Sequence, residues 1–484
     1  MDTSISKSAA ADPEIPLVVD LDGTVILTDT LHESLVRLVF RNPVLALASV
    51  MGLARGRAAF KRQLAKHSPL GGTSLPQRGD LIELLRAEKM RNRKIHLVTA
   101  ADQDIADEVA FTIGLFDSAT GSDGTNNLKG ARKLAWLKKS MPGEFLYAGD
   151  SAADLPLFLN ARGAILCDVA GPTARAVEES GIPILARLNR ERHPFRAFLA
   201  ALRPHQWSKN VLIFLPLFLG HAYSDAGNIL KSVTAFLILC VLASGTYLMN
   251  DLADLDADRL HPTKCRRAFA AGHLSLAVGI FASLAMIGGA LLAASLLSLP
   301  FTFALSVYLV ATLAYSFGLK RIAFLDVSIV GVLFTLRLVM GAAVLNLVQS
   351  PWLLAFSLVF FFSMALGKRY GEVKGAARSG SPEIAGRGYQ ADDWPLVLAF
   401  GIASTLASIV VLLLFITSEA IESAAYSRPE WLYALPALVF AWQARVWFYS
   451  HRMKLHDDPV VFALKDPVSL VLGVFVAIFT ALAL

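Results

Sequence analysis

The chain has 484 residues, is 55% hydrophobic and carries a formal charge of +6; its mean hydropathy of +0.53 is too high for an ordinary soluble protein. Its three cysteines (Cys167, Cys240, Cys265) lie far apart, which excludes a disulfide framework and a zinc site of the usual spacing. Much of the positive excess flanks apolar runs, where basic residues mark the cytoplasmic side of a membrane, so no nucleic-acid partner is implied. Apolarity is unevenly spread. Residues 1–200 mix charged and apolar positions as a globular domain does, whereas from about 205 onward apolar runs of membrane-spanning length alternate with short polar loops. The N-terminal MDTSISKSAAADPEIP has no apolar core of the signal-peptide kind.

In chain order, PLVVDLDGTVILTD (16–29) predicts a short apolar strand running into Asp20, Asp22, Gly23 and Thr24. A strand that ends in a carboxylate at a tight Gly turn is where open α/β sheets place their chemistry. Residues 31–69 read as an inserted helical cap, with the cap extending over about 31–90. Part of it, with Arg37, Arg41, Arg55 and Arg57, fits either a cap packed on its own domain or a helix lying on a membrane surface. KIHLVTA (94–100) predicts a second strand ending in Thr99, LKGARK supplies Lys129, and EFLYAGDSAADLP (144–156) predicts a third strand ending in Asp150, with Asp154 four residues on.

These four motifs in this order resemble the haloacid dehalogenase (HAD) superfamily over residues 14–185. The resemblance implies a Rossmann-like α/β domain with a small helical cap and phosphatase chemistry. Asp20 would be the nucleophile that takes the phosphoryl group, and Asp22 the acid and then the base. Thr99 and Lys129 would hold phosphoryl oxygens. Mg²⁺ would be bound by Asp20, the Asp22 carbonyl and Asp150, with Asp154 supporting them. Residues 186–206 follow as a basic linker or interfacial helix.

Nine candidate spans lie at roughly 208–222, 230–250, 273–296, 299–317, 322–346, 351–366, 394–417, 430–448 and 467–484. With a cytoplasmic N-terminus, the inner loops hold Arg259, Lys264, Arg266, Arg267, Lys320, Arg321, Lys368, Arg369, Lys374, Arg378, Arg387, Arg452, Lys454 and Lys465. The outer loops hold Arg428 alone. The expectation is a multi-pass protein of a bacterial inner membrane, all-α over 207–484, with residues 1–205 inside and the C-terminus outside.

At the inner end of the second span, NDLADLDADRLHPTKCRR (250–267) places Asn250, Asp254 and Asp258 four residues apart, on one face of a helix, with Asp251 and Asp256 adding charge. Such carboxylates chelate a divalent cation, and Mg²⁺ favours carboxylates together with diphosphate oxygens. YSFGLKRIAFLDVSIVGVLFTLR adds Tyr315, Lys320 and Asp326. Arg337 follows about three turns deeper, where it serves either a polar cavity or a buried structural contact. GKRYGE adds Lys368 and Arg369.

The NDxxDxxxD motif after span two and the Y…K…D motif after span four resemble the UbiA superfamily of intramembrane prenyltransferases over about 200–484. LRPHQWSKN (202–210), the 250–272 stretch and ALGKRYGE (365–372) are similar to its polyprenyl-phosphate phosphoribosyltransferases, typified by the decaprenyl-phosphate enzymes of arabinan biosynthesis; where those carry Arg-Pro, this chain has Arg267-Ala268. The resemblance implies that Asn250, Asp251, Asp254 and Asp258 bind Mg²⁺ and the diphosphate of 5-phosphoribosyl-1-diphosphate (PRPP). Tyr315, Lys320 and Asp326 would form a second polar wall. Lys209, Lys264, Arg266, Arg267, Lys368 and Arg369 would hold phosphates of PRPP or of the polyprenyl phosphate acceptor.

Together the halves imply a bifunctional enzyme: phosphoribosyl transfer to a polyprenyl phosphate, then removal of the 5-phosphate for envelope or exopolysaccharide synthesis. The alternative is a UbiA enzyme that moves a prenyl group from its diphosphate to an aromatic or other small acceptor beside an independent phosphatase. A transporter lacks support, because no paired broken helices or inverted repeat of hydropathy is visible. The sequence is compatible with a monomer and with a homo-oligomer.

Overall fold

The computed structural model describes residues 12–51, 56–70, 75–190, 193–380, 384, 386–421, 426–455 and 459–484. The chain divides into two compact units, one of residues 1–202 with 247–282, the other of 203–246 with 283–484.

The first unit is built on a six-stranded, all-parallel sheet: β1 Leu17–Val19, β2 Ile95–Asp102, β3 Ser118–Ser122, β4 Leu146–Gly149, β5 Gly163–Cys167 and β6 Ile184–Leu188, in the order β3-β2-β1-β4-β5-β6. Alternation along each strand feeds two cores. Leu17, Val19, Leu97, Leu146, Ala148, Ile165 and Cys167 pack on one face, and Val18, Val98, Tyr147, Ala164 and Leu166 on the other. β1 is central, and the chain leaves it toward β2 and β3 before returning to β4 on its other side. Its carboxyl end is therefore the switch point at which such sheets bind ligands. Register aligns Val19 with both Leu97 and Ala148, so Asp20, Thr99 and Asp150 leave neighbouring strands at nearly one level.

Helices α1 (Thr30–Arg41), α2 (Pro43–Met51) and α3 (Arg57–His67) form the inserted layer, around Leu38, Ala46, Phe60 and Leu64. Asp29 caps α1 by accepting from the Leu31 and His32 amides, and Glu33 in the first turn with Arg41 in the last complement its dipole. The insert is shorter than expected from sequence. α4 (Gly79–Met90) sends Leu81, Ile82, Leu84 and Leu85 into the sheet core instead, because its apolar positions match that face. Arg37 is buried rather than turned to lipid, while Val44 and Leu47 on α2 are exposed; Arg55 lies outside the described residues. α5 (Gln103–Ile113), α6 (Ala131–Ser140), α7 (Leu155–Phe158) and α8 (Gly171–Glu179) complete the layers. The expected linker begins as β6 and continues, beyond residues that are not described, as the short helix α9 (Pro194–Ala201).

In the second unit, 3-10 turns over Pro204–Phe214 lead to α10 (Leu215–Leu219), so the first expected span is not one continuous helix. α11 (Ala226–Ala253) runs out of this unit toward α12 (Leu255–Leu260) of the first, and α13 (Leu276–Leu297) returns. α14 (Leu299–Phe317), α15 (Leu325–Leu345), α16 (Pro351–Ser379), α17 (Trp394–Phe415), α18 (Ala434–His451), α19 (Pro459–Lys465) and α20 (Pro467–Ala483) follow. Among the described residues six helices are long and apolar enough to cross a membrane: 226–253, 276–297, 299–317, 325–345, 351–379 and 391–420. The chain is an integral membrane protein. The nine expected spans are not all met: α18 and α20, where two were expected, fall outside those six. Helices approach closely at small residues, as membrane packing favours. A Cβ on Gly401 would strike the Trp447 ring, whose Nε1 donates to Thr405 Oγ1 at 3.1 Å.

Candidate functional site

At the switch point of the first unit, Asp20, Asp150 and Asp154 each direct a carboxylate oxygen into one group spanning 4.8 Å. β1 delivers Asp20 and β4 delivers Asp150. The turn between Asp20 and α1 needs Gly23, at φ +75, because a Cβ there would lie 2.1 Å from Asp150 Oδ2. Asp154 is held from both sides: Tyr147 Oη donates to Oδ1 at 2.7 Å, and the Ser151 amide and hydroxyl donate to Oδ2. Asp22 turns away from this group toward the start of α1, where the Thr30 amide donates to it at 2.9 Å. Thr99 is buried within β2, which runs on to Asp102, and its hydroxyl accepts from the Ala101 amide.

Burial pushes Asp20 up, opposed by Lys133; burial and then Asp29 push Asp22 up to about 8; burial and then Asp20 and Asp154 push Asp150 up to about 7. So many carboxylates facing little positive charge is the donor set a divalent cation fits.

The lysine facing Asp20 was misplaced from sequence. Lys129 is exposed, whereas Lys133, 2% exposed on the first turn of α6, donates to Asp20 Oδ1 at 2.7 Å and to Tyr147 Oη at 2.9 Å. Lys129 lies in the turn before α6, ahead of Gly130 at φ +58, whereas Lys133 sits on the side of the helix that faces the sheet. A second cation, Lys61 of α3, had no sequence signal. Its Nζ donates to the Ala100 carbonyl at 2.6 Å, and burial lowers its pKa against the pull of Asp22 and Asp29. Arg78, also unforeseen, donates to the Gly23 and Thr24 carbonyls and pairs with Asp168 at 2.7 Å, bracing the turn that follows Asp20.

The second acidic group of this unit lies at 250–258. α11 ends at Ala253 and α12 begins at Leu255, yet i→i+4 backbone bonds persist from the Asp254 amide to Asn250 and from the Asp258 amide to Asp254, so the expected shared face survives the break. Asp251 and Asp258 are both buried and both paired to Arg267, at 3.1 and 2.7 Å. Arg267, expected to hold a substrate phosphate, is thus committed to carboxylates. The Asn250 Oδ1 is buried without a hydrogen-bond partner, an oxygen ready for a cation. Lys264 and Arg266 are exposed beside it in sequence.

In the second unit, Asp326 is fully buried at the start of α15. Tyr389 Oη donates to its Oδ1 at 2.7 Å, and Arg369 stands 2.8 Å from Oδ2, too oblique for a hydrogen bond but close enough for an ion pair. Arg387 lies 3.8 Å from Oδ2 and donates to Tyr315 Oη at 2.8 Å. Tyr315, Asp326 and Arg369 are therefore brought together, with Lys320 joined through its carbonyl. Arg387 and Tyr389 are members that sequence reasoning left among loop residues. Lys368, one residue before Arg369, points to the exposed side of α16. Lys209 is partly buried in the 3-10 segment.

Arg337 settles as a brace. Its guanidinium donates to Asn210 Oδ1 at 3.0 Å, to the Leu333 carbonyl at 2.6 Å and to Tyr308 Oη at 3.0 Å, over the Tyr308 and Phe334 rings. Replacing Arg337 by Met strands two buried polar partners, at about 1–3 kcal/mol each. The expected result is a lower unfolding temperature in detergent with substrate KM unchanged. A raised KM at unchanged stability would make Arg337 a ligand contact instead.

Comparisons agree with this architecture. Residues 212–465 match the UbiA prenyltransferase family. The chain is 47% identical to the protein y4nM of Sinorhizobium fredii over 466 residues, covering 96% of this chain and 90% of that one. It is 32% identical to the nodulation protein NoeC of Azorhizobium caulinodans, over 57% of this chain and 90% of that protein. It is 37% identical to the decaprenyl-phosphate phosphoribosyltransferase of Mycolicibacterium smegmatis over 189 residues, 38% of this chain and 59% of that enzyme.

Proposed function

The chain belongs to the UbiA prenyltransferase family, and from that premise we propose that it is a bifunctional enzyme, which transfers 5-phosphoribose from PRPP to a polyprenyl phosphate and then removes the 5-phosphate. The transferase half rests chiefly on the 189-residue likeness to a protein named decaprenyl-phosphate phosphoribosyltransferase. In this reading a lipid phosphate oxygen attacks C1 of the ribose, and the C1–O bond to diphosphate breaks. Asn250, Asp254 and the neighbouring Asp251 and Asp258 would hold Mg²⁺, which supplies charge neutralisation to the departing diphosphate. Arg267 keeps Asp251 and Asp258 in place. The exposed Lys264, Arg266 and Lys368 are free to meet phosphates on the cytoplasmic side, while Asp326, Arg369 and Tyr315 carry the polar role expected of them within the second unit.

The phosphatase half rests on the convergence of Asp20, Asp150, Asp154 and Lys133 at the carboxyl edge of the sheet. We read this domain as HAD-like. Asp20 attacks phosphorus while the bond to the sugar 5-oxygen breaks, and Asp22 gives that oxygen a proton. Burial and the neighbouring Asp29 push the Asp22 carboxyl upward, the direction a proton donor needs for the first step. It then takes a proton from the water that cleaves the aspartyl phosphate, releasing phosphate and restoring Asp20. Lys133 balances the charge of Asp20 and the incoming phosphate. Asp20, Asp150 and Asp154 would hold the second Mg²⁺. The domain would lie in the cytoplasm, as the loop charges expect.

The test uses the full-length protein in detergent with Mg²⁺, a polyprenyl phosphate and PRPP labelled in the ribose. The expected result is label in a ribosyl lipid without the 5-phosphate, with free phosphate released in equal amount. Label that never enters lipid, with a prenyl diphosphate consumed on an aromatic acceptor, would overturn the phosphoribosyl reading.

A further inference from the structure

α1 (Thr30–Arg41) touches more than its own domain. Three turns of this helix hold, in order, the amide that fixes Asp22, the carboxylate of Glu33 and the guanidinium of Arg37. Glu33 is fully buried and accepts two hydrogen bonds from Arg259 of α12, at 3.1 and 2.6 Å. Arg259 is 5% exposed on its side chain and also donates to the Ala270 carbonyl at 3.3 Å. One turn along, Arg37 bonds the Leu70 carbonyl and pairs with Asp256, which Arg41 approaches to 3.5 Å. At the far end of the same loop, Gly272 at φ +69 lies so close to Leu27 that a Cβ would stand 2.8 Å from the Leu27 Cβ. The 250–272 stretch is thus fastened at several points to α1 and to Leu27 just before it, more than 200 residues away in sequence.

These pairs are not surface decoration. A bidentate pair buried on both sides is weak evidence for extra stability, because desolvation offsets attraction, but it fixes one geometry strictly: removal of either partner leaves a buried charge alone. What it fixes here is α12, the helix that carries Asp258 and is preceded by Asp254 at its N-cap. We propose that Glu33 and Arg37 are positioning residues for the aspartate loop, so that the N-terminal domain sets the geometry in which Asn250, Asp254 and Asp258 receive Mg²⁺-diphosphate. Glu33 acts through Arg259 and Arg37 through Asp256; neither touches the substrate. Since Thr30 on the same helix holds Asp22, one rigid element bears on both acidic sites, and the fused domain is part of the transferase rather than cargo. The proposal rests on the reading of 250–258 as the diphosphate site.

The test compares full-length wild type, Glu33→Gln, Arg259→Lys and the exchanged pair Glu33→Arg with Arg259→Glu. Two readouts are used: amide hydrogen exchange of residues 250–267, and transfer kinetics with PRPP. Glu33→Gln should speed exchange there at least about tenfold. It should also raise KM for PRPP at least about tenfold with kcat held within about threefold. Arg259→Lys, which keeps the charge but not the fork, should shift both in the same direction by less. The exchanged pair should recover most of both losses. Unchanged exchange in folded Glu33→Gln or Arg259→Lys, or raised exchange with unchanged KM, overturns the proposal. If the wild type transfers no ribose, the reaction assigned above falls, and protection of 250–267 by Mg²⁺ with inorganic diphosphate decides the positioning. Protection that Glu33→Gln abolishes supports it; protection that is unchanged, or absent in the wild type, overturns it.

Discussion

Asp20→Asn is expected to stop 5-phosphate hydrolysis, by at least about 10³-fold, while ribose transfer to lipid stays within twofold of wild type. The substitution keeps the size of the side chain and removes the attacking anion, so the fold has little to adjust. Lys133 loses its carboxylate but keeps Tyr147 as a partner. The loss is large because the neighbouring carboxylates have other tasks: Asp22 is turned to Thr30, both oxygens of Asp154 are occupied, and Asp150 belongs to the proposed cation site. Separation of the labelled lipids checks this directly, since the phosphoribosyl lipid should accumulate where the wild type yields ribosyl lipid. Equal amounts of ribosyl lipid from both proteins would remove the phosphatase role from this domain.

Asp254→Ala is expected to abolish labelling of lipid altogether, a fall of at least about 10²-fold, with hydrolysis of a small soluble phosphomonoester unchanged. Asp254 stands where α11 gives way to α12, and its amide and carbonyl keep the i→i+4 bonds that align Asn250 with Asp258. Ala leaves those backbone bonds intact and removes only the carboxylate. An unfolding temperature in detergent equal to that of the wild type would mark a loss of transfer as chemical rather than conformational. Asp251 and Asp258 are paired to Arg267, and the substitution at Asp254 leaves those two pairs standing. Retained labelling in a folded variant would place the diphosphate elsewhere.

The helical membrane half was legible because its signals are local. Runs of apolar residues about 20 long leave few alternatives in a bilayer, and loop cations mark sides. The limit of that signal shows at 208–222, where Pro204 and Pro216 bracket a sequence apolar enough to span but folded as 3-10 turns and one short helix. In the first unit, strands ending in Asp20, Thr99 and Asp150 were visible as apolar runs that meet a carboxylate or hydroxyl at a turn. The cap boundary was not, because α4 and α1 mix charged and apolar residues alike and differ in which core receives their apolar side.

By itself the sequence determined that an α/β part precedes apolar helices, that apolar runs lead into Asp20 and Asp150, and the four-residue spacing that keeps Asn250, Asp254 and Asp258 on one face. All of these follow from the periods of strands and helices, which are properties of consecutive residues. Only the tertiary structure decided which cation meets which carboxylate. Lys133 rather than Lys129 faces Asp20, Arg267 serves Asp251 and Asp258, Arg369 rather than Lys368 reaches Asp326, and Arg259 finds Glu33 across more than 200 residues. Lysine and arginine occur in such numbers that neighbours in sequence compete for one partner. The choice is made by helix phase and by burial, since a charge taken out of water must end beside an opposite one.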